Sequence, residues 1–457
     1  MEKLKFILSI IVCKILIFAG KLAGKKGSST PGNIALKICP SVLKKLSVQI
    51  KGGIICTLGT NGKTTTNNMT DLLIRSSGKT TVCNNVGANM LFGVVTAFAA
   101  ASTAFGKITA EYAVIEIDEA SAKIVFRHLK PDYIILTNLF RDQLDRYGEI
   151  DITIDHIKKA LDMAPDAVLI LNADDPLCKY LGEICGNKVV TYGISESVLT
   201  PLNETKEGRF CQLCGEELHY RYYHYSQLGD YICPKCGFKR GIPDFEATEI
   251  DCSSNVRFTL NGEMRIKSST YGFYNIYNLL AAAAAVKTAG IEVNNLSEVF
   301  SSYKPQIARM EEFKFGDKTV ILNLSKNPAG FNQALAAMEN DKRRKSVVIA
   351  INDNAQDGYD ISWLYDVDFE MLKGMCENYA VSGKRMYDMS LRLFYADVCD
   401  NPEIGDEPVE LAMKFLSDES EVIYLLVNYT VIFDAENKLK KKHKEYMKKR
   451  GITNERA

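Results

Sequence analysis

The chain has no excess of either charge: 56 Lys and Arg stand against 56 Asp and Glu in 457 residues. A general nucleic-acid binder relies on a strong positive field, so no nucleic acid is expected among the partners. Histidine is scarce, and none of His128, His156, His219, His224 and His443 accompanies a cysteine at a nucleophile elbow. A Cys–His hydrolase is therefore not written into the chain. A spanning helix needs about 20 apolar residues, and the strongly apolar stretch Phe6–Ala19 is shorter and broken by Lys14. No convincing small-residue cleavage site follows it, so a signal peptide is not expected. There is no internal repeat and no long low-complexity tract. The 13 cysteines do not form a secreted disulfide array. Cys13, Cys56 and Cys178 lie scattered in apolar surroundings, as expected in a reducing cytoplasm.

What is present is ordinary globular composition, 46% hydrophobic and 25% charged, enough for two to four domains. Lysines around the apolar N-terminus leave two readings open. One is a helix packed on the first domain; the other is a helix lying at the inner membrane surface. The basic stretch Lys438–Arg450 reads as a solvated final helix. Strands are expected at Ala113–Ile117, Tyr133–Thr137, Val168–Leu171 and Val189–Tyr192, with helices at Ala120–Leu129 and Ile152–Met163 between them. That alternation predicts a mainly parallel α/β sheet whose functional edge is at the carboxyl ends of its strands. The pattern breaks near residue 200 and resumes near Thr248, with an Ala-rich helix at Asn275–Ala289. Residues 301–313 read as a connector. A further α/β region follows, with strands at Thr319–Leu324, Val347–Ile351, Tyr379–Ser382 and Val422–Val427.

The most informative stretch is Thr57–Thr66, TLGTNGKTTT. It joins the apolar run Gly53–Cys56 to a helical segment, so it reads as strand, glycine loop, helix. Backbone N–H groups of such a loop converge on an anion, and the helix start adds partial positive charge. Gly59, Thr60, Asn61 and Gly62 form the loop. Lys63 brings a full charge to terminal phosphates, Thr64 offers a hydroxyl to Mg²⁺, and Thr65 follows. One departure is that Thr57 stands where the general motif has its first glycine.

A second pattern is Cys211-x-x-Cys214-Gly with Cys233-x-x-Cys236-Gly. Four thiolates at this spacing close a tetrahedral Zn²⁺ site with no open position, so the metal is expected to be structural. Tyr220, Tyr222, Tyr223 and Tyr225 lie between the knuckles. They either stack on bases or cover a ribbon too small for its own core.

Glu116 ends an apolar strand in AVIEIDEAS, where a carboxylate can face the loop lysine and serve Mg²⁺. Asp118 and Glu119 are nearby alternatives. Asp142 and Asp145 follow the next strand. Asp353, Asp357 and Asp360 sit on the loop DNAQDGYD after Val347–Ile351.

GTNGKTTT, VIEIDEAS, TNLFRDQLDRYG, LNADDP, YGFYNIYNLLAAAA and ARMEEF occur in that order. Over about residues 50–313 this set resembles the Mur ligase family. The resemblance implies a P-loop central domain (46–313) carrying an inserted zinc ribbon at about 205–242. Before it comes an apolar helical segment (1–45), and after it a C-terminal Rossmann-like α/β domain (314–457). It implies ATP, Mg²⁺ and structural Zn²⁺ as cofactors. Lys63 and Thr64 would hold phosphates, Glu116 would serve Mg²⁺, Asn275 and Asn278 would seat the nucleotide, and Arg309 would reach its phosphates. Lys159, beside Lys158, matches the place of a lysine that is carbamylated in several members.

Three departures narrow the likeness. Gln143 replaces the family's usual histidine, the ribbon is extra, and no UDP-sugar domain is expected ahead of the loop. With NNVGANMLFG (84–93) and DNAQDGYDISWLYDVDFE (353–370), these features are similar to the ligase-like subunit of an amidating branch. That likeness implies ATP-driven amidation of the D-glutamate α-carboxylate of lipid II through an acyl phosphate. It also implies a GatD-like glutaminase partner in a heterodimer. Asp357, or else Asp360 or Asp353, would complete the partner's Cys–His pair. The alternative is a Mur- or folylpolyglutamate-type ligase that adds an amino acid to a carboxylate.

Overall fold

The computed structural model describes residues 2–22, 29–84, 88–141, 150–197, 208–252, 255–304 and 310–450. They form two compact units that divide at about residue 305.

In the first unit, Gly53–Leu58 (β1) is buried along its whole length, as a central strand of a parallel sheet must be. Around it lie Thr81–Cys83 (β2), Tyr112–Glu116 (β3), Tyr133–Leu136 (β4), Val168–Asn172 (β5) and Val189–Ile194 (β6). Phe245–Asp251 (β9), Arg257–Leu260 (β10) and Met264–Lys267 (β11) extend the sheet beyond β6. The order is β11-β10-β9-β6-β5-β4-β1-β3-β2. Only β10 pairs antiparallel with its neighbours. The chain moves outward from β1 to β2, returns to β3 beside β1, then crosses to β4 on the other flank. That reversal opens a crevice at the carboxyl end of β1, where ligands of such sheets bind.

The insertion leaves after β6 and returns at β9, which pairs in parallel with β6. It carries a two-stranded ribbon, His219–Tyr225 (β7) and Leu228–Ile232 (β8). Three N-terminal helices, Glu2–Leu22, Thr30–Ile38 and Val42–Ser47, share one core with the sheet through Ile10, Cys13, Ala35, Val42, Leu43 and Leu46.

The second unit holds Glu311–Phe315 (β12), Lys318–Leu324 (β13), Lys345–Ala350 (β14), Tyr379–Ser382 (β15), Glu403–Ile404 (β16) and Val422–Val427 (β17). Their order is β12-β13-β17-β14-β15-β16, with only β12 antiparallel. Apolar clusters line both faces, one centred on Phe415, Ile432 and Leu439, the other on Phe331, Trp363 and Phe369. The last helix, Tyr429–Lys449, buries Val431, Ile432, Ala435 and Leu439, with most of its lysines exposed.

The expected connector at 301–313 is a correction. Leu296–Ser302 is helical and Glu311 already begins a strand. In EEFKF the buried Phe313 and Phe315 alternate with charged residues, which is the pattern of a half-covered edge strand rather than a linker. The helix expected at Ala120–Leu129 runs Glu119–Val125.

Candidate active site

The glycine loop leaves β1 and turns into the helix Lys63–Ser76. Asn138 fixes its shape from the β4 side. Its carbonyl accepts the Thr60 N–H at 2.8 Å, its Oδ1 accepts the Asn61 N–H at 2.8 Å, and its Nδ2 donates to the Asn61 carbonyl at 3.1 Å. Thr60 Oγ1 exchanges hydrogen bonds with Phe140, both at 3.0 Å. Gly62 has φ +83°, and a Cβ there would lie 2.1 Å from Asn278 Oδ1, so only glycine fits. Asn278 also accepts from Thr66 Oγ1 at 3.2 Å and donates to Asn275 Oδ1 at 2.9 Å. Asn275 in turn donates to the Tyr271 carbonyl at 2.6 Å. The buried helix Tyr274–Thr288 thus buttresses the loop from behind. Thr64 and Thr65 sit half-buried in the first turn after Lys63.

Lys63 is buried and donates to the carbonyls of Gly59 at 2.5 Å and Thr60 at 3.3 Å, and to Glu119 Oε1 at 2.8 Å. The same Glu119 oxygen accepts the Gly59 N–H at 3.0 Å. One carboxylate therefore engages both a loop N–H and the loop lysine, two groups built for an anion. Burial works against the Lys63 charge, yet Glu119, Glu116 and Asp118 hold its pKa up, at about 12. Burial pushes the Glu119 carboxyl above its ordinary value, and Lys63 pulls against that rise.

Glu116 ends β3 in register with Thr57. Its backbone is clamped by Asn84 through bonds of 2.9 and 2.8 Å, and its Oε1 accepts from Asn89 Nδ2 at 2.9 Å. Asp118 caps the following helix through the Ser121 N–H. Three carboxylates surround one ammonium, so the site carries surplus negative charge, and its oxygen donors suit a hard divalent cation.

Sequence reasoning missed Asn84, Asn89 and Asn138 as site residues. The first two lie in NNVGANMLFG and the third in TNLF; for Asn84 and Asn138, an asparagine just past a strand end was the available signal. It also missed Asn68, one turn beyond Thr64, which is buried with neither amide atom hydrogen-bonded among the described residues. Arg309, Asp142, Gln143 and Asp145 lie outside the described residues. Lys159 and Lys158 make surface ion pairs with Asp155 at 2.5 Å and Asp162 at 3.2 Å.

The four sulfurs of Cys211, Cys214, Cys233 and Cys236 lie within 4.8 Å of one another. Two of the separations are 3.5 Å (Cys211–Cys236) and 3.4 Å (Cys214–Cys233). A Zn–S bond of about 2.3 Å implies about 3.8 Å between sulfurs of a tetrahedron, so the set is close to closing on Zn²⁺. The two knuckles are built alike: Gly215 N–H donates to the Cys211 carbonyl and Gly237 N–H to that of Cys233. Burial pushes the Cys211 thiol up to about 12. Desolvation also acts on Cys233, but N–H groups of Cys236 and Lys235 and the neighbouring thiols bring it down to about 6. The ribbon tyrosines pack on the protein and on each other. Tyr220 and Tyr223 stack at 4.0 Å, and Tyr231 is buried and donates to the Ala173 carbonyl at 3.1 Å.

The insertion also braces two loops of the sheet. Gln227 Nε2 donates to the Leu139 carbonyl at 2.6 Å, and Arg240 Nε meets the buried Asp174 at 2.5 Å. Asp174 further accepts from Tyr277 at 2.8 Å. Burial alone would raise the Asp174 pKa, but Arg240 and His224 bring it below the ordinary carboxylate value.

In the second unit, Asp357 is buried where the last helix starts. It accepts the Thr430 N–H at 2.8 Å, the Thr430 hydroxyl, and the Asn354 N–H at 3.3 Å. Burial nonetheless raises its pKa. Asp353 pairs with Arg385 at 2.7 Å. Asp360 is half-buried and accepts from the Ser362 N–H and hydroxyl, both at 2.9 Å.

Residues 58–286 match the family described as Mur ligase middle domain, and 324–432 match MurT ligase C-terminal. Over 424 residues the chain is 38% identical to subunit MurT of lipid II isoglutaminyl synthase (glutamine-hydrolyzing) from Staphylococcus aureus strain N315. The match covers 92% of this chain and 95% of that protein. Identity to the Streptococcus pneumoniae R6 subunit of the same name is 31%, over 90% and 91% of the two chains. Among solved structures, a pseudomurein peptide ligase type C from Methanothermus fervidus superposes with TM-score 0.68 at 22% identity, over 90% of this chain and 83% of that one. MurF ligase from Thermotoga maritima, solved with ADP, superposes at 0.61 with 14% identity, over 92% and 85%.

Proposed function

Because the chain belongs to the Mur ligase family, in the group of its MurT subunits, we infer that it is the ATP-using subunit of a glutamine-hydrolysing lipid II isoglutaminyl synthase. It amidates the D-glutamate α-carboxylate of lipid II to D-isoglutamine in peptidoglycan synthesis. A GatD-like glutaminase subunit supplies the ammonia. The observation that carries this reading is the Gly59–Lys63 loop, whose lysine and backbone N–H already hold an anionic oxygen.

A carboxylate resists attack by ammonia because oxide would have to leave. In the first step its oxygen attacks the γ-phosphorus of ATP, the β–γ bridge breaks, and ADP departs. Lys63 follows the phosphoryl charge, and the N–H groups at the start of the helix Lys63–Ser76, beyond those that Asn138 ties down, hold the departing phosphates. Thr64 and Glu116 would hold Mg²⁺, which would supply neutralisation of the triphosphate's charge. Asn275 and Asn278 keep the loop in shape, and Arg309 is assigned to the phosphates. In the second step ammonia attacks the acyl carbon of the acyl phosphate and sheds a proton as inorganic phosphate leaves. The acyl phosphate hydrolyses readily, so water must be excluded until ammonia arrives.

Product analysis tests the assignment. The chain is given ATP and acceptor with ammonia, with glutamine plus the glutaminase subunit, or with amino acids. Amidated product in the first two is expected; incorporation of amino acids alone would end the reading. The lipid-linked acceptor puts the work at the cytoplasmic membrane face. Among the described residues no helix is long and apolar enough to cross a membrane.

Two smaller results are expected. Cys211→Ser should lose zinc and cost folding rather than chemistry, since zinc contributes about 10–16 kcal/mol of apparent binding energy in zinc-finger peptides. Metal analysis and thermal melting check this; a zinc-free variant with full stability and activity would contradict it. Glu119→Ala should destabilise the nucleotide-free protein by about 3 kcal/mol, because it strips a buried ammonium of its nearest counter-charge. Saturating Mg-ATP should then raise the Tm of the variant more than that of the parent protein. Equal shifts would mean that carboxylate and phosphate do not share a position.

A further inference from the structure

The helix Glu2–Leu22 is apolar on two faces, where a surface helix is apolar on one. Its inner face buries Ser9, Ile10 and Cys13, with Phe6 and Ile17 packed against the same core. Its outer face carries Leu4, Leu8, Ile11, Ile15, Phe18 and Leu22, all 37–75% exposed. Their spacing of four, three, four, three and four residues draws one stripe along the helix, roughly 27 Å long at about 1.5 Å per residue.

Charge flanks this stripe with one sign. At about 100° per residue, Lys3, Lys14 and Lys21 fall roughly 80–100° to one side of its centre and Lys5 roughly 100° to the other. Lys14 Nζ caps the Ala100 carbonyl at 3.0 Å, while Lys3, Lys5 and Lys21 are exposed. The only acid on the helix, Glu2, is paired with Lys45.

From this arrangement we propose that the outer face of Glu2–Leu22 docks on an anionic lipid surface, with the helix lying in the plane of the interface. An apolar row bordered on both sides by lysines, with the helix's one acid paired to Lys45, complements a plane of acyl chains edged by lipid phosphates. Lysine stems on both flanks can lie along that plane and raise their ammonium groups to lipid phosphates. The inner face stays in the protein core, so the helix rests on the bilayer without entering it end-on. The docking surface stands on this geometry alone; only the turnover measurement below rests on the amidation reading.

The test uses the full chain with its glutaminase subunit and vesicles of phosphatidylcholine with or without phosphatidylglycerol. The parent protein is expected to co-sediment with the anionic vesicles, less with neutral ones, and less at high salt. The double variant Ile15→Glu, Phe18→Glu changes two exposed side chains and is checked for an unchanged melt. It should bind anionic vesicles at least about tenfold more weakly. It should also amidate a detergent-solubilised acceptor at the parent rate and a vesicle-embedded acceptor more slowly. Equal vesicle binding by parent and variant, or none by the parent, would overturn the proposal. So would a parent dimer that the variant converts to monomer with no lipid effect, since a second copy would then cover the stripe. Vesicle binding without amidation by the parent would refute the enzymatic reading and leave the docking surface standing.

Discussion

Lys63→Ala is expected to lower ATP-dependent amidation by about 10²–10³-fold or more in kcat, with assembly onto the glutaminase subunit intact. Lys63 is the first residue of its helix, and its ammonium is the positive charge held among Glu116, Asp118 and Glu119. Without it those carboxylates face the incoming phosphates uncompensated, so nucleotide affinity falls together with the rate of phosphoryl transfer. The buried Glu119 also loses its partner, so a melting curve must accompany the assay. Lys63→Arg separates charge from shape, because it keeps the charge but places a planar fork where a compact ammonium fits. Phosphate release and ADP formation are the readouts, with size-exclusion chromatography for assembly. Turnover retained in Lys63→Ala would remove the loop from the mechanism.

The second large effect is expected from Asp357→Asn. Amidation driven by glutamine should fall steeply, while amidation driven by added ammonia stays near the parent rate. An aspartate that orients a catalytic imidazole keeps it in the correct tautomer and stabilises its protonated form. Its replacement by asparagine costs up to about 10⁴-fold in a catalytic triad. Asp357 has the fixity such a role needs: Thr430 holds it with backbone and hydroxyl at the start of the last helix, where the helix dipole favours a negative charge. Asp353 is committed to Arg385, and Asp360 caps the turn at Ser362. Asp353→Asn and Asp360→Asn are therefore the comparisons. If Asp360→Asn alone separates the two ammonia sources, the role moves to that residue. If none of the three does, the loop has no part in the partner's chemistry.

The sheet of the first unit was legible because apolar runs and glycine turns repeat from Gly53 onward. The four-cysteine ribbon was legible because thiolate spacing is a metal requirement independent of the rest of the fold. Two hairpins were overlooked although the turn chemistry was present. Asn261-Gly262-Glu263, the first two at positive φ, joins β10 to β11, and Gly316-Asp317 joins β12 to β13. β13 was expected from its apolar run, but β10, β11 and β12 are short and carry charged residues, which hid them and with them the two turns. The partner of Lys63 was harder. Glu116, Asp118 and Glu119 all lie within four residues, and sequence spacing favoured the strand-end Glu116. The Asp118 cap starts the helix at Glu119 and thereby turns that side chain toward the loop. Such a choice depends on one local backbone turn, which no periodicity announces. Asn138 reaches the loop from 77 residues away in sequence, and only the parallel pairing of β4 with β1 brings the two together.

The Glu119 carboxylate on Gly59 and Lys63 has a thermodynamic consequence. In the proposed nucleotide site, ATP would not enter a bare cradle; it would compete with a tethered ligand whose local concentration is set by a single side chain. The dissociation constant observed in solution would then be the intrinsic one multiplied by the factor needed to dislodge that occupant. A mutation that merely disfavours the inward rotamer of residue 119 would tighten nucleotide binding without touching the nucleotide.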